Sequence, residues 1–164
     1  MYINKLYNKY CKNKKFKINF DNAYTGKDYS NLEINSLLKK FKIKSRKNDD
    51  DIVATLLSKG KIFGRLSGAS EYGPRALGNR SILADPRNIK MRDYINKKVK
   101  HREIFRPFAP SILEEKNKKK FNLKTTSPYM LLVAKSKRPN EIPSAIHVDG
   151  TARIQTINRE QNEK

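Results

Sequence analysis

The run Glu71-Tyr-Gly-Pro-Arg-Ala-Leu-Gly-Asn-Arg-Ser-Ile-Leu-Ala-Asp-Pro-Arg87 packs three arginines, two glycines and two prolines into one short stretch with little free choice of backbone. Gly73 and Gly78 can take backbone angles closed to other residues, while Pro74 and Pro86 fix theirs, so the loop is shaped rather than floppy. Arg75, Arg80 and Arg87 are then held in place. A planar guanidinium offers paired donors that match phosphate or carboxylate oxygens two at a time. The stretch is therefore predicted to be a cradle for anionic oxygens. Each arginine has a competing use, pairing with carboxylates or carbonyls of its own fold, but the chain holds 16 Asp+Glu against 37 Lys+Arg and has few acids to spare.

Working outward, Lys61 to Arg65 reads as a strand leading into the loop and Ser81 to Ala84 as one leading out, so the loop hangs on a sheet edge. Upstream, Ser30 followed by Glu33 is a capping-box pattern, and Ile34, Leu37, Leu38 and Phe41 follow at helical spacing. A first helix is predicted there, packed on a sheet. Asp49 to Asp51 place negative charge where a second helix begins, Ile52, Val53, Leu56 and Leu57 form its apolar stripe, and Gly60 ends it. Downstream, Met91, Tyr94, Ile95 and Val99 fit an amphipathic helix with basic residues in its last turn. Phe105-Arg-Pro-Phe-Ala-Pro110 cannot be helical, Ser111 to Leu113 resumes as a strand, and a charged helix follows from about Glu114 to Phe121. Tyr129 to Lys135 and Arg153 to Ile157 read as strands. This irregular alternation predicts an α/β (α+β) domain with a mixed, twisted sheet and flanking helices. No Gly-x-Gly-x-x-Gly follows a strand and no Walker-type Gly-Lys-Ser is present, so any nucleotide is held another way.

The 164 residues suit one domain, with residues 1–24 read as a basic linker or arm and 25–164 as the domain. The net charge of +21 points to nucleic acid, nucleotides or acidic partners without choosing among them. Much of it lies in lysine runs such as Lys39 to Lys47 and Lys116 to Lys120, which read first as solvated surface. Cys11 is the single cysteine, so an internal disulfide is excluded and a reducing, cytoplasmic setting is expected. No apolar run in the sequence approaches the ~20 residues needed to span a bilayer.

Three segments carry polar residues of one kind: the arginine loop, Lys98-Val-Lys-His-Arg-Glu-Ile-Phe-Arg-Pro-Phe-Ala-Pro110, and His147-Val-Asp-Gly-Thr-Ala-Arg-Ile-Gln155. Brought together they make a strongly cationic pocket. From about Asn22 to the end, these motifs, with Asn96 to Lys100 between them, resemble in order and spacing the C-terminal domain of the O-carbamoyltransferases of the nodulation and antibiotic-tailoring type. The resemblance implies a YrdC-like fold, similar to threonylcarbamoyl-AMP synthase, in which carbamoyl phosphate and ATP yield carbamoyl adenylate. It further implies an N-terminal domain of the actin and sugar-kinase type, with a metal site, that moves the carbamoyl group to a hydroxyl acceptor. By the same resemblance Arg75, Lys100, Arg106 and Arg153 are the carbamoyl-phosphate and ATP ligands, with Arg75 and Lys100 nearest the chemistry. Arg80, Arg102 and His147 are further candidates, and Mg²⁺ is expected with ATP.

The resemblance also implies an incomplete domain. The chain begins within the segment linking the family's two domains and stops soon after Gln155, before an Asn-Thr-Ser-Phe-Asn motif whose serine serves the nucleotide site. A separate chain carrying the acceptor and metal domain is therefore an expected partner.

Other residues read two ways. His147 beside Asp149 suits a general-base pair or a turn that bonds its own backbone. His101 is expected at the surface. Glu71 and Glu103 are expected to orient neighbouring groups and to stay ionised amid so much positive charge. Phe105 and Phe108 suit adenine stacking or, more commonly, a core. Two other classes of function compete: a non-catalytic RNA- or nucleotide-binding module, and an inactive remnant of a truncated gene.

Overall fold

In the computed structural model, which describes residues 22–47 and 49–159, Ser30 and Glu33 close the predicted capping box. Ser30 Oγ accepts from Glu33 N at 3.2 Å and Glu33 Oε2 accepts from Ser30 N at 2.9 Å, starting α1 (Asn31–Lys40). Asp49 Oδ1 accepts from the amides of Asp51 and Ile52 and starts α2 (Asp50–Ser58), which ends at Gly60 with φ +79°. The expected packing of α1 on a sheet is not seen. Ile34 and Leu38 are half-buried, Leu37 and Phe41 are exposed, and no residue of α1 is buried. The physical reason lies in the strands, which pair two at a time and offer no broad face to receive a helix.

β1 (Phe63–Leu66) runs antiparallel to β2 (Arg80–Leu83), so the arginine loop connects two paired strands. α3 (Lys90–Tyr94) passes directly into a π-helical turn, Ile95–Val99, in which Lys100 N donates to Ile95 O at 2.8 Å. Met91 and Ile95 are buried, but Tyr94 and Val99 are exposed. The wider π turn rotates Val99 off the apolar stripe that α-helical spacing assigns it. β3 (Ser111–Leu113) leads into α4 (Glu114–Lys120), with acids in its first turn and lysines in its last.

Two predicted strands are shorter than expected. Met130, at φ +54°, breaks the extended backbone, so only β4 (Val133–Lys135) forms. The run from Arg153 to Ile157 is divided between β5 (Thr151–Arg153) and β6 (Gln155–Ile157) by the fully buried Ile154. The division marks a change of partner: β5 pairs antiparallel with β4, whereas β6 pairs parallel with β3, Gln155 opposite Ser111. The fold is thus α+β, with one parallel and two antiparallel strand pairs among the described residues.

The larger core cluster joins Phe121, Leu123, Ala134, Ile146, Ala152 and Ile154. A smaller one joins Ala23, Leu77 and Met130, with Tyr24, Ala109 and Tyr129 packed against it. Of the expected linker, residues 1–21, Cys11 included, lie outside the described residues, while Ala23 and Tyr24 are built into this second cluster. The segment is bonded to the loop region as well, Tyr72 N to Ala23 O at 2.7 Å and Gly26 N to Ser70 O at 3.0 Å. No described helix is long and apolar enough to cross a membrane.

Candidate functional site

The loop between β1 and β2 owes its shape to its glycines and to one carboxylate. Gly73 and Gly78 sit at φ +120° and +123°, a region that strains any residue with a Cβ. Glu71 Oε1 accepts from the amides of Leu77 at 2.8 Å, Asn79 at 2.7 Å and Arg80 at 3.1 Å, and Ser81 Oγ accepts from Gly78 N. Burial pushes the Glu71 carboxyl up, but its own backbone amide and those of Leu77, Arg80 and Asn79 outweigh that and hold it below the usual carboxylate range. Glu71 therefore shapes the loop through its backbone, as a charged acceptor.

The three arginines have separate uses. Arg80 gives its guanidinium to the carbonyls of Ser67, Gly68 and Asn79 at 2.9 Å each, and to Lys27 O at 3.3 Å, so it ties loop segments to one another. Arg87 chelates both oxygens of Asp85. Arg75 does neither: its Nε is buried and has no hydrogen-bond partner among the described residues.

Arg75 lines a cavity of about 560 Å³ together with Lys100, Arg102, Arg153, Gly78 and Ser81, over a floor that includes Ile82, Met91, Ile95 and Phe121. Burial, and then the neighbouring charge of Arg75, pull the Arg153 guanidinium below its ordinary pKa. Arg102 lies 4.8 Å above the Phe108 ring, a cation–π contact, and donates from Nε to Asn96 Oδ1 at 2.7 Å. Asn96 is fully buried and donates in turn to the carbonyls of Ile104 and Arg106, fixing the turn that carries Arg102. His101, at φ +47°, follows Lys100 in that turn and is exposed as expected. Asp85 and Glu141 also stand in the cavity wall, but Asp85 is engaged by Arg87 and Glu141 by Lys120 and Arg138.

Of the sequence-predicted residues, then, Arg75, Lys100, Arg102 and Arg153 share the cavity. Arg106 does not line it and pairs with Glu103 at 2.8 Å, both half-exposed. Glu103 is held below its usual pKa by its own backbone amide and then by Arg106. Arg80 is consumed by carbonyls. His147 lies outside the cavity wall, Nδ1 3.5 Å from Asp149 Oδ1, in a turn closed by His147 N to Thr151 O at 2.8 Å. Phe105, expected in the core, is 73% exposed because it stands in the turn closed by Arg106 N to Glu103 O, while half-buried Phe108 forms part of the cavity wall.

Sequence reasoning passed over the side chains of Asn96 and Gln155 within the motifs that contain them. A lone amide in an otherwise apolar helical or strand face was the available signal. Among the described residues no group of three His, Cys, Asp or Glu is placed to hold a metal ion. What the cavity offers is a cluster of cationic donors, Arg102 held in place among them, beside apolar side chains, suited to a ligand with several anionic oxygens and a nonpolar part.

A family model described as Carbamoyltransferase C-terminus matches residues 54–164. Nodulation protein NolO of Bradyrhizobium diazoefficiens is 41% identical over 150 residues, covering 85% of this chain and 27% of the relative. Nodulation protein U of Sinorhizobium fredii is 46% identical over 114 residues, covering 68% of this chain and 20% of the relative. An uncharacterized protein of Methanocaldococcus jannaschii is 41% identical over 148 residues, 85% of this chain and 24% of its own length. The chain thus spans about a quarter of the length of the curated relatives it matches.

Proposed function

The chain belongs to the carbamoyltransferase C-terminus family, and from that premise we propose that its cationic cavity binds carbamoyl phosphate and ATP and supports formation of carbamoyl adenylate. The observation that carries this reading is the buried, unpartnered Nε of Arg75 beside Arg153, which is exposed overall but whose charge is disfavoured by partial desolvation and then by Arg75. An unsatisfied buried donor and two adjacent guanidiniums both cost stability, and a bound polyanion relieves both costs at once.

In the proposed reaction water hydrolyses carbamoyl phosphate: its oxygen goes to phosphorus, the bond between phosphorus and the bridging oxygen breaks, and carbamate and inorganic phosphate are released with a proton to solvent. A carbamate oxygen attacks the α-phosphorus of ATP, and the bond to the β-phosphate oxygen breaks to release pyrophosphate. Little of this requires covalent work from the protein. Several negative charges must be brought together and the developing charge spread over fixed donors. Arg75 and Arg153 hold paired oxygens, Lys100 supplies a compact charge, and Arg102 is kept in orientation by Asn96 and Phe108. Arg106 stands outside the cavity wall, so to join it would have to leave the exposed and therefore weak pair with Glu103 and reach a phosphate at the cavity mouth. Mg²⁺ accompanies ATP with ligands drawn from the phosphates. No three of the described His, Cys, Asp or Glu side chains come together to hold a metal ion, so the phosphates would have to supply most of the Mg²⁺ ligands. Transfer of the carbamoyl group to a hydroxyl acceptor, on a partner chain or domain in the cytoplasm, completes the proposed activity.

The test is carbamoyl-phosphate-dependent exchange of pyrophosphate into ATP, with and without an added acceptor domain from a relative. Arg75→Ala is expected to lower exchange by about two orders of magnitude, as for loss of one preorganised charged donor. Exchange that is absent even with the added domain, or indifferent to Arg75→Ala, defeats the reading. The net charge of +21 favours a second reading, an RNA-binding module, which would show tight RNA binding with a steep salt dependence.

A further inference from the structure

Beside the bonds from Tyr72 to Ala23 and from Arg80 to Lys27, the loop carrying Arg75 is fastened to the rest of the protein at the Leu77 peptide. Leu77, two residues on, has its N–H on Glu71 and its side chain buried beside Ala23 and Met130. Its carbonyl accepts from two donors, Tyr24 Oη at 3.1 Å and Gln155 Nε2 at 2.6 Å. Gln155 is 2% exposed, and both ends of its side-chain amide and its backbone N–H are engaged. Its Oε1 accepts from Ser111 Oγ at 2.9 Å and its backbone N–H donates to Pro110 O at 3.0 Å. A carbonyl accepts only, so Leu77 O requires the amide nitrogen, and the Ser111 hydroxyl holds the other end as acceptor.

One buried residue therefore touches all three segments that the sequence singled out as cationic, through its side-chain amide at Leu77 and its backbone N–H at Pro110. It bonds the arginine loop through Leu77 and the end of the Phe105–Pro110 stretch through Pro110. It also lies two residues beyond Arg153 on the same chain. We infer that Gln155 is a positioning residue: it sets Arg75 against Arg153, so that the two guanidiniums face one anion in a fixed relation. This inference rests on the function proposed above. Its physical basis is that a buried link hydrogen-bonded at both ends specifies geometry where apolar packing tolerates sliding, and anion clamps lose affinity on small displacements.

Gln155→Met keeps the length and burial of the side chain and removes both hydrogen bonds. Calorimetric titration of the 164-residue chain with ATP, and separately with carbamoyl phosphate, is expected to show roughly tenfold weaker binding for this variant. A residue that acts through Arg75 should matter only while Arg75 is intact. In the Arg75→Lys background, which keeps a charge but lacks the Nε donor, Gln155→Met is expected to change affinity by less than twofold. Equal losses in both backgrounds would make Gln155 merely structural and overturn the inference. So would a Gln155→Met variant that binds like the wild type while Arg75→Lys binds weakly, a result that leaves the proposed function standing. Failure of the wild-type chain to bind either ligand would remove both together. Should Gln155→Met not fold, Ser111→Ala is the milder probe, since it frees the amide to rotate. It should give a smaller loss with the same dependence on Arg75, and no loss would count against the inference.

Discussion

Arg75 and Arg80 share one loop, one side-chain type and one set of neighbouring glycines, yet the fold treats them oppositely. Arg80 is spent on four carbonyls, and its charge serves to bind the loop to the segments before it. Arg75 is half-buried, with its Nε donor enclosed and left over. The difference teaches that a cluster of arginines is two populations, one that builds the site and one that is available to a ligand. Residue type does not separate them; the supply of nearby carbonyls does.

The sharpest way to break this comparison is to exchange the roles by mutation. Arg80→Met, which leaves the carbonyls of Ser67, Gly68 and Asn79 without their charged donor, is expected to cost about 2–3 kcal/mol in a chemical denaturation curve. Arg75→Ala should leave the unfolding midpoint unchanged or slightly raised, because it removes an unsatisfied donor and a repulsive neighbour of Arg153. A larger destabilisation from Arg75 than from Arg80 would reverse the assignment.

A smaller effect is expected from the carboxylate that shapes the loop. Glu71 has its folded pKa below the ordinary value of 4.5. A depressed carboxylate contributes stability that is present above its unfolded pKa and lost as pH falls through the folded one. Stability should therefore decline below about pH 4.5, and Glu71→Gln should flatten that part of the pH profile relative to wild type.

The smallest effect on global stability belongs to α1. Ser30→Ala removes the cap, and the Glu33 carboxyl, lowered to about 2 by the Ser30 amide and then by Lys27, titrates in the same place. By the same rule, the helical signal from α1 should fade as pH falls from about 4.5 towards 2. Circular dichroism should register a loss of helix in both cases. The main unfolding midpoint should stay put, since no residue of α1 is buried.

How much of this was legible in the sequence follows the range of the forces involved. Caps and glycine turns are decided within a few residues, so Ser30 with Glu33, Asp49, Gly60, Gly73 and Gly78 could all be placed by reading. The α+β class followed from the alternation of elements. Burial of α1 and the single strand from Arg153 to Ile157 did not survive, because both depend on which distant strand supplies a face or a ladder. At Ile154 the chain changes partner from β4 to β3, and period-two alternation carries no information about partners. The site divided along the same line. That arginines and a lysine would converge was readable from their types. Which of them would be free was not, since the carbonyls that occupy Arg80 come from Ser67, Gly68 and Lys27.

The close passage of Ala23 to Lys27 along the arginine loop changes what the upstream polypeptide is to this domain. A Cβ on Gly26 would come 1.9 Å from Ser70 Oγ, Tyr24 bonds Leu77 O, and Arg80 reaches Lys27 O. A chain merely hung from a domain transmits slack. This one is bonded at several points to the loop that holds Arg75, so a displacement of residues 23–27 acts directly on the anion cradle.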